Sequence, residues 1–359
     1  MMDKRELAAH ILSHQQISRH DFKTAGELVS WLGAVQAQDF MGAKWSLGLR
    51  LPHAKEQDIE KAIQDKEIIR TWTQRGTWHF VSPQNIYWML DLVAERVIRS
   101  AASRFRQLGL DAKLLAKSND ILAKATANGN ALTRKELGEI LLQHHIPTSD
   151  FRLTYMVQNA VYDGIICLGP RRNKEFAFVS LPEWVPEINR LPKEASIIKL
   201  SGLYFNSHGP ATIADFKWWS GLNQAEAMIG LEAIKPGLKQ ETIEGQVYWM
   251  PKDQEVYAPE KNTGIYLLPG FDEYLLGYKD RSPMIDAAHS NKVFNGGNAI
   301  FANTIVSKGR VIGTWKRTIQ KNEIQFQINP FEKLSKTTEK GIEKAMKQFG
   351  TFWGMPIKL

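Results

Sequence analysis

The sequence predicts an α+β protein in which two helices and a β-hairpin follow one another three times before a β-rich C-terminal region. Three capping-box patterns support the repeated helices, and they begin at Thr24, Thr133 and Thr212. Apolar residues at helical spacing follow each box, and two strand-like runs around a short turn come next. Two helices and a hairpin are the parts of a winged-helix module. We therefore predict three tandem modules that share a plan but not a sequence.

The first module is predicted to run from a helix at the N-terminus to a long helix after its hairpin. Its elements are, in chain order, helices over 4–12, from Ala25 and over 56–63, a hairpin over 68–81 and a helix over 83–108. The hairpin turns at Gln74-Arg75-Gly76, so Arg75 lies near the tip as a candidate DNA contact. His79, in the second strand, is either a core histidine or a neighbour of the site described next.

Between the capped helix and the hairpin lies Gln36-Ala37-Gln38-Asp39, in which two neutral amides flank one small apolar residue. On a helix, residues i and i+2 point about 200° apart, whereas on an extended chain they share a face. If Gln36 and Gln38 act together, the backbone there must be extended or leaving its helix. Asp39 adjoins the pair and can supply charge, with helix capping or turn formation as its favoured role.

In the second module, Thr133 opens one helix, and Ser149 or Asp150 is expected to cap the next. Three side chains share the face of this second helix away from the core: Arg152, Tyr155 and Asn159. The hairpin that follows has three cations at its tip: Arg171, Arg172 and Lys174. A cationic tip beside a polar-faced helix favours a wing that grips phosphates and a helix that faces a DNA groove. An ordinary solvated turn is the alternative.

The third module is predicted from Thr212 to a hairpin over 238–250, whose acidic tip is not expected to grip DNA. Strand-like runs over 299–306, 311–317 and 324–328 then indicate a small β-barrel or a curled sheet. We predict a hairpin tip at 295–298 and an amphipathic helix over 337–349. Asp272 and Glu273 form an acidic pair on a predicted strand, with a catalytic role as one interpretation. Because adjacent strand residues point to opposite faces, a structural role that joins the barrel to the third module is favoured. His208 is placed in a turn. The predicted boundaries are 1–118, 119–192, 193–264 and 265–359.

Composition limits the partners and cofactors of the chain. Its 46 Lys and Arg residues against 38 Asp and Glu residues leave a net charge of +8, which favours a polyanionic partner. Cys167 is the single cysteine, so an internal disulfide and a multi-cysteine metal site are excluded. The sequence has no phosphate-binding loop and no metal-spaced histidine pair, and we expect no cofactor. Without a signal peptide or an apolar run long enough for a membrane, we expect a cytoplasmic protein.

Four stretches together resemble the AlkZ-like winged-helix DNA glycosylases, the wider YcaQ family of crosslink-repair glycosylases. They are Gly33 to Gln38, Arg75 to His79, Gly209 to Thr212 with Asp215-Phe216, and Phe271 to Tyr274 with Asp280 to Ser282. The resemblance implies three winged-helix motifs and a C-terminal β-barrel that form a C-shaped, DNA-binding surface. It also implies removal of alkylated purines, including interstrand crosslinks in some members. The family's catalytic motif is glutamine, an apolar residue, then glutamine or aspartate, which Gln36 and Gln38 match.

The chemistry of such a reaction suits two amides. A purine alkylated at N7 or N3 is cationic, so it departs as a neutral base and needs little help from an acid. What remains is to place a water and to stabilise an oxocarbenium-like sugar. The amide oxygens of Gln36 and Gln38 can orient a water through hydrogen bonds, although a glutamine cannot act as a general base.

The expected partner is double-stranded DNA that carries an alkylated or crosslinked base. We expect a monomer without membrane contact, associated with the nucleoid when it is bound to DNA. The competing prediction is a non-catalytic regulator or architectural DNA-binding protein, in which Gln36 and Gln38 are ordinary module residues. A third interpretation is an interaction protein whose positive charge only aids solubility.

Overall fold

A computed structural model describes the chain over residues 2–186, 190–253, 264–295, 300–321 and 323–358. The fold is a mixed α+β fold with two compact units. The first unit combines Met1–Ile59 with Ile197–Leu359, and the second comprises Glu60–Ser196. Within the described ranges, no helix is both long enough and apolar enough to span a membrane.

In the described part of the chain before residue 190, the helices are α1 Lys4–His14, α2 Ala25–Leu32, α3 Phe40–Arg50, α4 Glu56–Gln64, α5 Ile86–Gln107, α6 Ala112–Thr126, α7 Arg134–Gln143, α8 Arg152–Tyr162 and α9 Leu181–Trp184. The later helices are α10 Lys193–His208, α11 Ile213–Ser220, α12 Gln224–Ile234, α13 Glu273–Leu276, α14 Ala287–Val293 and α15 Lys336–Trp353. The predicted capping boxes at Thr24, Thr133 and Thr212 are confirmed, because each threonine accepts from a backbone N–H and the acid three residues later bonds back.

The strands of the first two hundred residues are β1 Val35–Gln36, β2 Ile69–Trp72, β3 Trp78–Val81, β4 Leu132–Thr133, β5 Ile166–Leu168 and β6 Ala177–Ser180. The second unit contains β2 to β6, which lie side by side in the order β3-β2-β5-β6-β4. Its two predicted hairpins, β2–β3 and β5–β6, are confirmed as antiparallel pairs. The first turns through a 3-10 segment over Gln74–Gly76, as the glycine predicted.

The remaining strands are β7 Leu238–Ile243, β8 Gln246–Pro251, β9 Ile265–Leu268, β10 Phe294–Asn295, β11 Ile300–Phe301, β12 Thr304–Ser307, β13 Arg310–Ile319, β14 Ile324–Pro330 and β15 Ile357–Lys358. The predicted third hairpin is confirmed as β7–β8. The C-terminal strands form a curled half-barrel sheet in the order β15-β14-β13-β12-β9, the second of the two predicted forms. The predicted hairpin tip at 295–298 lies, except for its first residue, outside the described residues.

The helix α15 closes the apolar side of this sheet. It is longer than the predicted helix over 337–349, and its buried face contains Ile342, Met346 and Phe349. The ring of Phe349 packs edge-on against Trp315 of β13 and against Trp45 of α3, with centroid distances of 5.4 and 4.8 Å. The same face therefore links the sheet to the helix that follows the glutamine pair.

Three long helices, α3, α6 and α10, were not predicted. The reason is clearest in α3, which buries Lys44, Ser46 and Arg50 together with its apolar residues. A helix that is buried on nearly every side has no alternation of apolar and polar faces, so periodicity does not reveal it.

The predicted cap of α8 is also wrong. Its N-cap is Phe151, with a φ of 69° and no side-chain cap bond, instead of Ser149 or Asp150. The four predicted module boundaries stay predictions.

Candidate active site

The glutamine pair lies where the chain changes from one helix to the next. Helix α2 ends at Gly33, whose φ is 79°, and an added Cβ there would lie 3.2 Å from the Leu203 Cβ. Strand β1 is extended at Gln36, and α3 begins at Phe40. The backbone is thus extended and leaves its helix, as it must if Gln36 and Gln38 act together; their joint action stays a prediction. Glycine at position 33 makes the abrupt exit sterically possible.

The two amides have different environments. The Gln36 side chain is only 7% exposed, and no described residue forms a hydrogen bond to its Oε1. Gln38 is exposed, whereas Ala37 between them is buried. A buried amide oxygen without a partner costs the folded protein free energy, and such groups are found where a water or ligand binds.

Glu273 holds the backbone of Gln36. Its Oε1 accepts the Gln36 N–H at 2.9 Å, and its Oε2 accepts the Trp219 Nε1–H at 3.0 Å. The His208 Nε2 lies 3.5 Å from the same Oε2. All three of these side chains are buried. The placement of Glu273 on a strand is therefore wrong, since it begins α13, and His208 ends α10 instead of lying in a turn.

The neighbouring carboxylate, Asp272, binds the helix after the glutamine pair. Its two oxygens accept from the Arg50 Nη1 and Nη2, each at 2.8 Å, and one also accepts from the Ser46 hydroxyl at 2.7 Å. Burial raises the pKa of the Asp272 carboxyl, but the Arg50 guanidinium and the hydrogen bonds outweigh it and hold that pKa below its ordinary value. Asp272 is the N-cap of α13, not a strand residue.

Other buried bonds fix α3 at its remaining sides. Arg50 donates through Nε to the Gln15 carbonyl at 2.7 Å, and Trp45 donates through Nε1 to the Leu267 carbonyl at 2.6 Å. Lys44 forms an ion pair with Glu56. The segment that follows the glutamine pair is thus bonded to three separate parts of the first unit.

Asp39 stands at the N-cap position of α3, as the capping prediction requires, but its side chain makes no cap hydrogen bond. The carboxylate instead lies over Gly42, where an added Cβ would come within 2.6 Å of Oδ2. Burial lowers the pKa of Arg317, and the charge of Asp39 opposes that shift. The side chain of Asp39 is exposed beside Gln38, and its place beside the catalytic pair stays a prediction.

The candidate DNA-binding cations lie on the second unit, where two of the three wing cations have acidic partners. The Arg171 Nη2 is 2.6 Å from the Glu60 Oε1, and the Arg172 Nη1 is 3.0 Å from the Glu136 Oε2. Lys174 is exposed. Arg75 is half-buried in the turn of the first hairpin, with a φ of 55°. Contact of these residues with DNA stays a prediction.

The predicted polar face of α8 is wrong in one position. Asn159 is 5% exposed and donates to the Asp163 carboxylate at 2.7 Å, so it belongs to the interior. Arg152 donates to the Leu108 carbonyl at 2.8 Å, and the Tyr155 ring packs edge-on against Phe105. These contacts tie α8 to α5 and to the chain directly after it.

His79 is buried on β3 of the second unit, with its Nδ1 2.9 Å from the Thr77 carbonyl. A carbonyl only accepts, so this nitrogen carries the proton. The bond satisfies one ring nitrogen in the way expected of a core histidine. Its alternative role beside the glutamine pair stays a prediction.

Glu273 and Trp219 were not among the predicted site residues. Contacts between residues more than two hundred positions apart leave no periodic signal. The only hint was the acidic pair Asp272-Glu273 inside the apolar stretch Tyr266–Tyr278, because buried carboxylates need partners.

Comparison with known proteins relates the chain to one family of DNA glycosylases. The family description of AlkZ-like DNA glycosylases matches residues 29–352. Over 358 residues the chain is 25% identical to an interstrand DNA cross-link repair glycosylase of Streptomyces sahachiroi, covering 95% of this chain and 94% of that protein. The solved structure of the S. sahachiroi DNA glycosylase AlkZ superposes with a TM-score of 0.83 at 22% identity, over 99% of both chains.

These matches define the class of the protein as a DNA glycosylase, a hydrolase of N-glycosyl bonds that acts on DNA. The chain belongs to the AlkZ-like DNA glycosylase family. Family membership favours the glycosylase prediction over a non-catalytic regulator and over a solubility role for the positive charge. The structural match, at 22% identity, supports the fold alone.

Proposed function

We propose that this protein excises purines alkylated at N7 or N3 from double-stranded DNA and unhooks interstrand crosslinks, with Gln36 and Gln38 as its catalytic residues. The observation that carries the proposal is the buried Gln36 Oε1, for which the described residues offer no donor. The relative named as an interstrand DNA cross-link repair glycosylase supports the crosslink substrate.

In this mechanism the alkylated base leaves as a neutral molecule. The electron pair of the N-glycosidic bond stays with the base when that bond breaks and cancels its positive charge. The Gln36 Oε1 accepts a hydrogen bond from the attacking water, which also satisfies the buried oxygen. The exposed Gln38 amide holds the same water on the side of the sugar. Both groups position the water and neither takes its proton, which passes to bulk water after the new C–O bond to the sugar has formed. The rate therefore depends on geometry.

DNA contact is proposed for the helix–helix–hairpin groups, which we assign as three winged-helix modules acting in a monomer. The wings of the first two modules supply Arg75 and the cations Arg171, Arg172 and Lys174. The support is their position at hairpin turns, because cations at such tips commonly contact phosphates. Phosphate contacts provide affinity without sequence preference, which suits an enzyme that must search undamaged DNA.

The test is single-turnover excision from a duplex that carries 7-methylguanine. Gln38→Ala should lower the rate constant on the order of 10²-fold or more, because a misplaced catalytic group costs about that much. Gln143→Ala, at an exposed glutamine that ends α7, is the matched control and should leave the rate unchanged. Duplex affinity should change little in both variants, since phosphate contacts dominate it.

Substrate preference gives a second measurement. Activity on 7-methylguanine, 3-methyladenine and a crosslinked duplex should exceed activity on uracil, because uracil is a neutral lesion and leaves without charge relief. If the double variant Gln36→Ala/Gln38→Ala binds normally and excises at the wild-type rate, the pair is structural. If the wild-type protein excises nothing from any alkylated duplex, it is a DNA-binding protein without this activity.

A further inference from the structure

We infer that Glu273 is a positioning residue for excision: its carboxylate holds the backbone of Gln36 and so determines where the Gln36 amide lies. The inference rests on the proposed role of Gln36 and Gln38. It adds to the reaction a residue that is 237 positions away in the sequence and outside the glutamine motif.

The contact is suited to fixing a backbone position. The Gln36 N–H meets the Glu273 Oε1 at 2.9 Å, and both residues are buried. A hydrogen bond in the low dielectric of the protein interior is electrostatically stronger than one in water, and a buried polar atom that loses its partner costs more. A shift of Gln36 would therefore break a strong bond and leave a buried carboxylate oxygen without this donor.

Glu273 is itself held by two further hydrogen bonds. The Trp219 indole donates to its Oε2 at 3.0 Å, and the Gln15 amide donates to its backbone carbonyl at 3.1 Å. Trp219 is in turn packed against the Tyr204 ring, with centroids 5.0 Å apart. The carboxylate thus has little freedom to rotate, and it transmits the position of α11 and α13 to β1.

Two adjacent acids therefore hold the two sides of the glutamine motif. Glu273 bonds β1, on the N-terminal side, whereas Asp272 bonds Arg50 of α3, on the C-terminal side. Both acids lie at the start of α13, so this one short helix holds the end of β1 and the helix α3 in fixed relative positions. The two acids have different roles: Asp272 forms an ion pair with Arg50, and Glu273 accepts a hydrogen bond from the backbone of Gln36.

Shortening the side chain is the sharpest change. Glu273→Asp keeps the carboxyl group but withdraws it by one C–C bond, about 1.5 Å. It then cannot reach both the Gln36 N–H and the Trp219 indole. A displacement on the order of 1 Å in a catalytic group can cost about 10²-fold in rate. In Glu273→Gln, the side-chain amide has one accepting oxygen and one donating NH2 group. The Gln36 N–H and the Trp219 indole are both donors, so one of the two bonds is lost.

The experiment compares single-turnover excision and duplex affinity on the 7-methylguanine duplex. Glu273→Asp should lower the rate constant by about 10- to 100-fold, and Trp219→Phe by about 10-fold, with Kd unchanged within about twofold. The matched control is Trp315→Phe, since the Trp315 indole is equally buried and donates to the Leu268 carbonyl at 2.9 Å, in the C-terminal sheet. It should excise at the wild-type rate.

The outcomes separate this inference from the proposed function. If Glu273→Asp and Trp219→Phe fold and keep the wild-type rate while Gln38→Ala is impaired, Glu273 has no positioning role and the proposed function stands. If Glu273→Asp does not fold, Trp219→Phe decides. An equal loss in Trp315→Phe would attribute the effect to general stability and overturn the inference. If wild-type protein excises nothing, the proposed function fails first.

Discussion

The framework around the glutamine motif and the cationic wing of the second unit use the same kind of ion pair in opposite ways. In the framework, the side chains of Arg50 and Asp272 are 0% and 2% exposed. In the wing, those of Arg172 and Glu136 are 47% and 35% exposed. Both pairs have nitrogen–oxygen distances near 3 Å, at 2.8 and 3.0 Å. Burial is therefore what distinguishes them.

This difference teaches what each region can do. A buried charge must keep its partner, because losing it leaves an uncompensated ion away from water, so a buried pair fixes geometry. An exposed pair contributes little to stability and can exchange its partner in solution. Fixed geometry suits the proposed role of the Gln36 amide in catalysis, and exchangeable partners suit the proposed contact of the wing arginines with phosphate.

The largest expected effect is on the buried pair. Arg50→Met should lower the free energy of unfolding by about 3–5 kcal/mol, because Asp272 is left buried without its cation. Arg172→Met, the exposed counterpart, should cost less than about 1 kcal/mol. Urea unfolding monitored by tryptophan fluorescence measures both. Equal losses in the two variants would remove the basis of the comparison.

The next effect tests how tightly α3 is packed after the glutamine motif. Gly48→Ala should cost about 1–3 kcal/mol in the free energy of unfolding, because its Cβ would lie 2.2 Å from a ring carbon of the buried Phe352. Gly202→Ala, inside α10, meets no atom within 4 Å. It should stabilise the protein by about 0.5–1 kcal/mol through its higher helix propensity. A neutral Gly48→Ala would show that α3 moves freely.

Buried and exposed histidines should differ in their effect on acid stability. The pKa of His14 is lowered to about 3, chiefly by burial and to a smaller extent by the charges of His10, Arg19 and Lys239. The unfolded chain, with an ordinary histidine pKa near 6.5, then binds a proton that the folded protein does not. The stability contribution of neutral His14 is full above about pH 6.5 and is lost as the pH falls toward 3.

His14→Leu should accordingly lose about 1 kcal/mol less than wild type between pH 7 and pH 5.5, since the slope approaches about 1.4 kcal/mol per pH unit. Urea unfolding at the two pH values measures the difference. His53→Ala, at an exposed histidine, is the control and should leave the pH dependence as it is in wild type. The prediction fails if both variants behave alike.

The smallest effect on stability is expected at the wing. The triple variant Arg171→Ala/Arg172→Ala/Lys174→Ala should change the free energy of unfolding by about 1 kcal/mol or less, because the pairs are exposed or half-exposed. It should weaken binding to every duplex about equally. The slope of log K against log salt should fall by about 0.9 for each lost phosphate contact. Lys235→Ala, near the hairpin with the acidic tip, should leave the slope unchanged. An unchanged slope in the triple variant places those cations away from DNA.

The sequence by itself determined the local features of this protein. Thr24 and Thr133 bond to residues three positions away, and Gly76 turns a hairpin within a few residues, so short patterns were enough to predict them. Helix geometry alone also required an extended backbone, or one leaving its helix, if Gln36 and Gln38 act together. The chemistry expected of two amides also followed from residue types alone.

Only the tertiary structure decided how the site is held. The bond between Gln36 and Glu273 joins residues 237 positions apart, and no pattern in either segment encodes the other. Helix α3 was missed because its polar side chains, such as Arg50, are buried against distant partners. Asn159 was assigned to the wrong face for a related reason, since it is buried while it donates to the exposed Asp163 carboxylate. Burial of a polar group depends on a partner, and the partner is supplied by the fold.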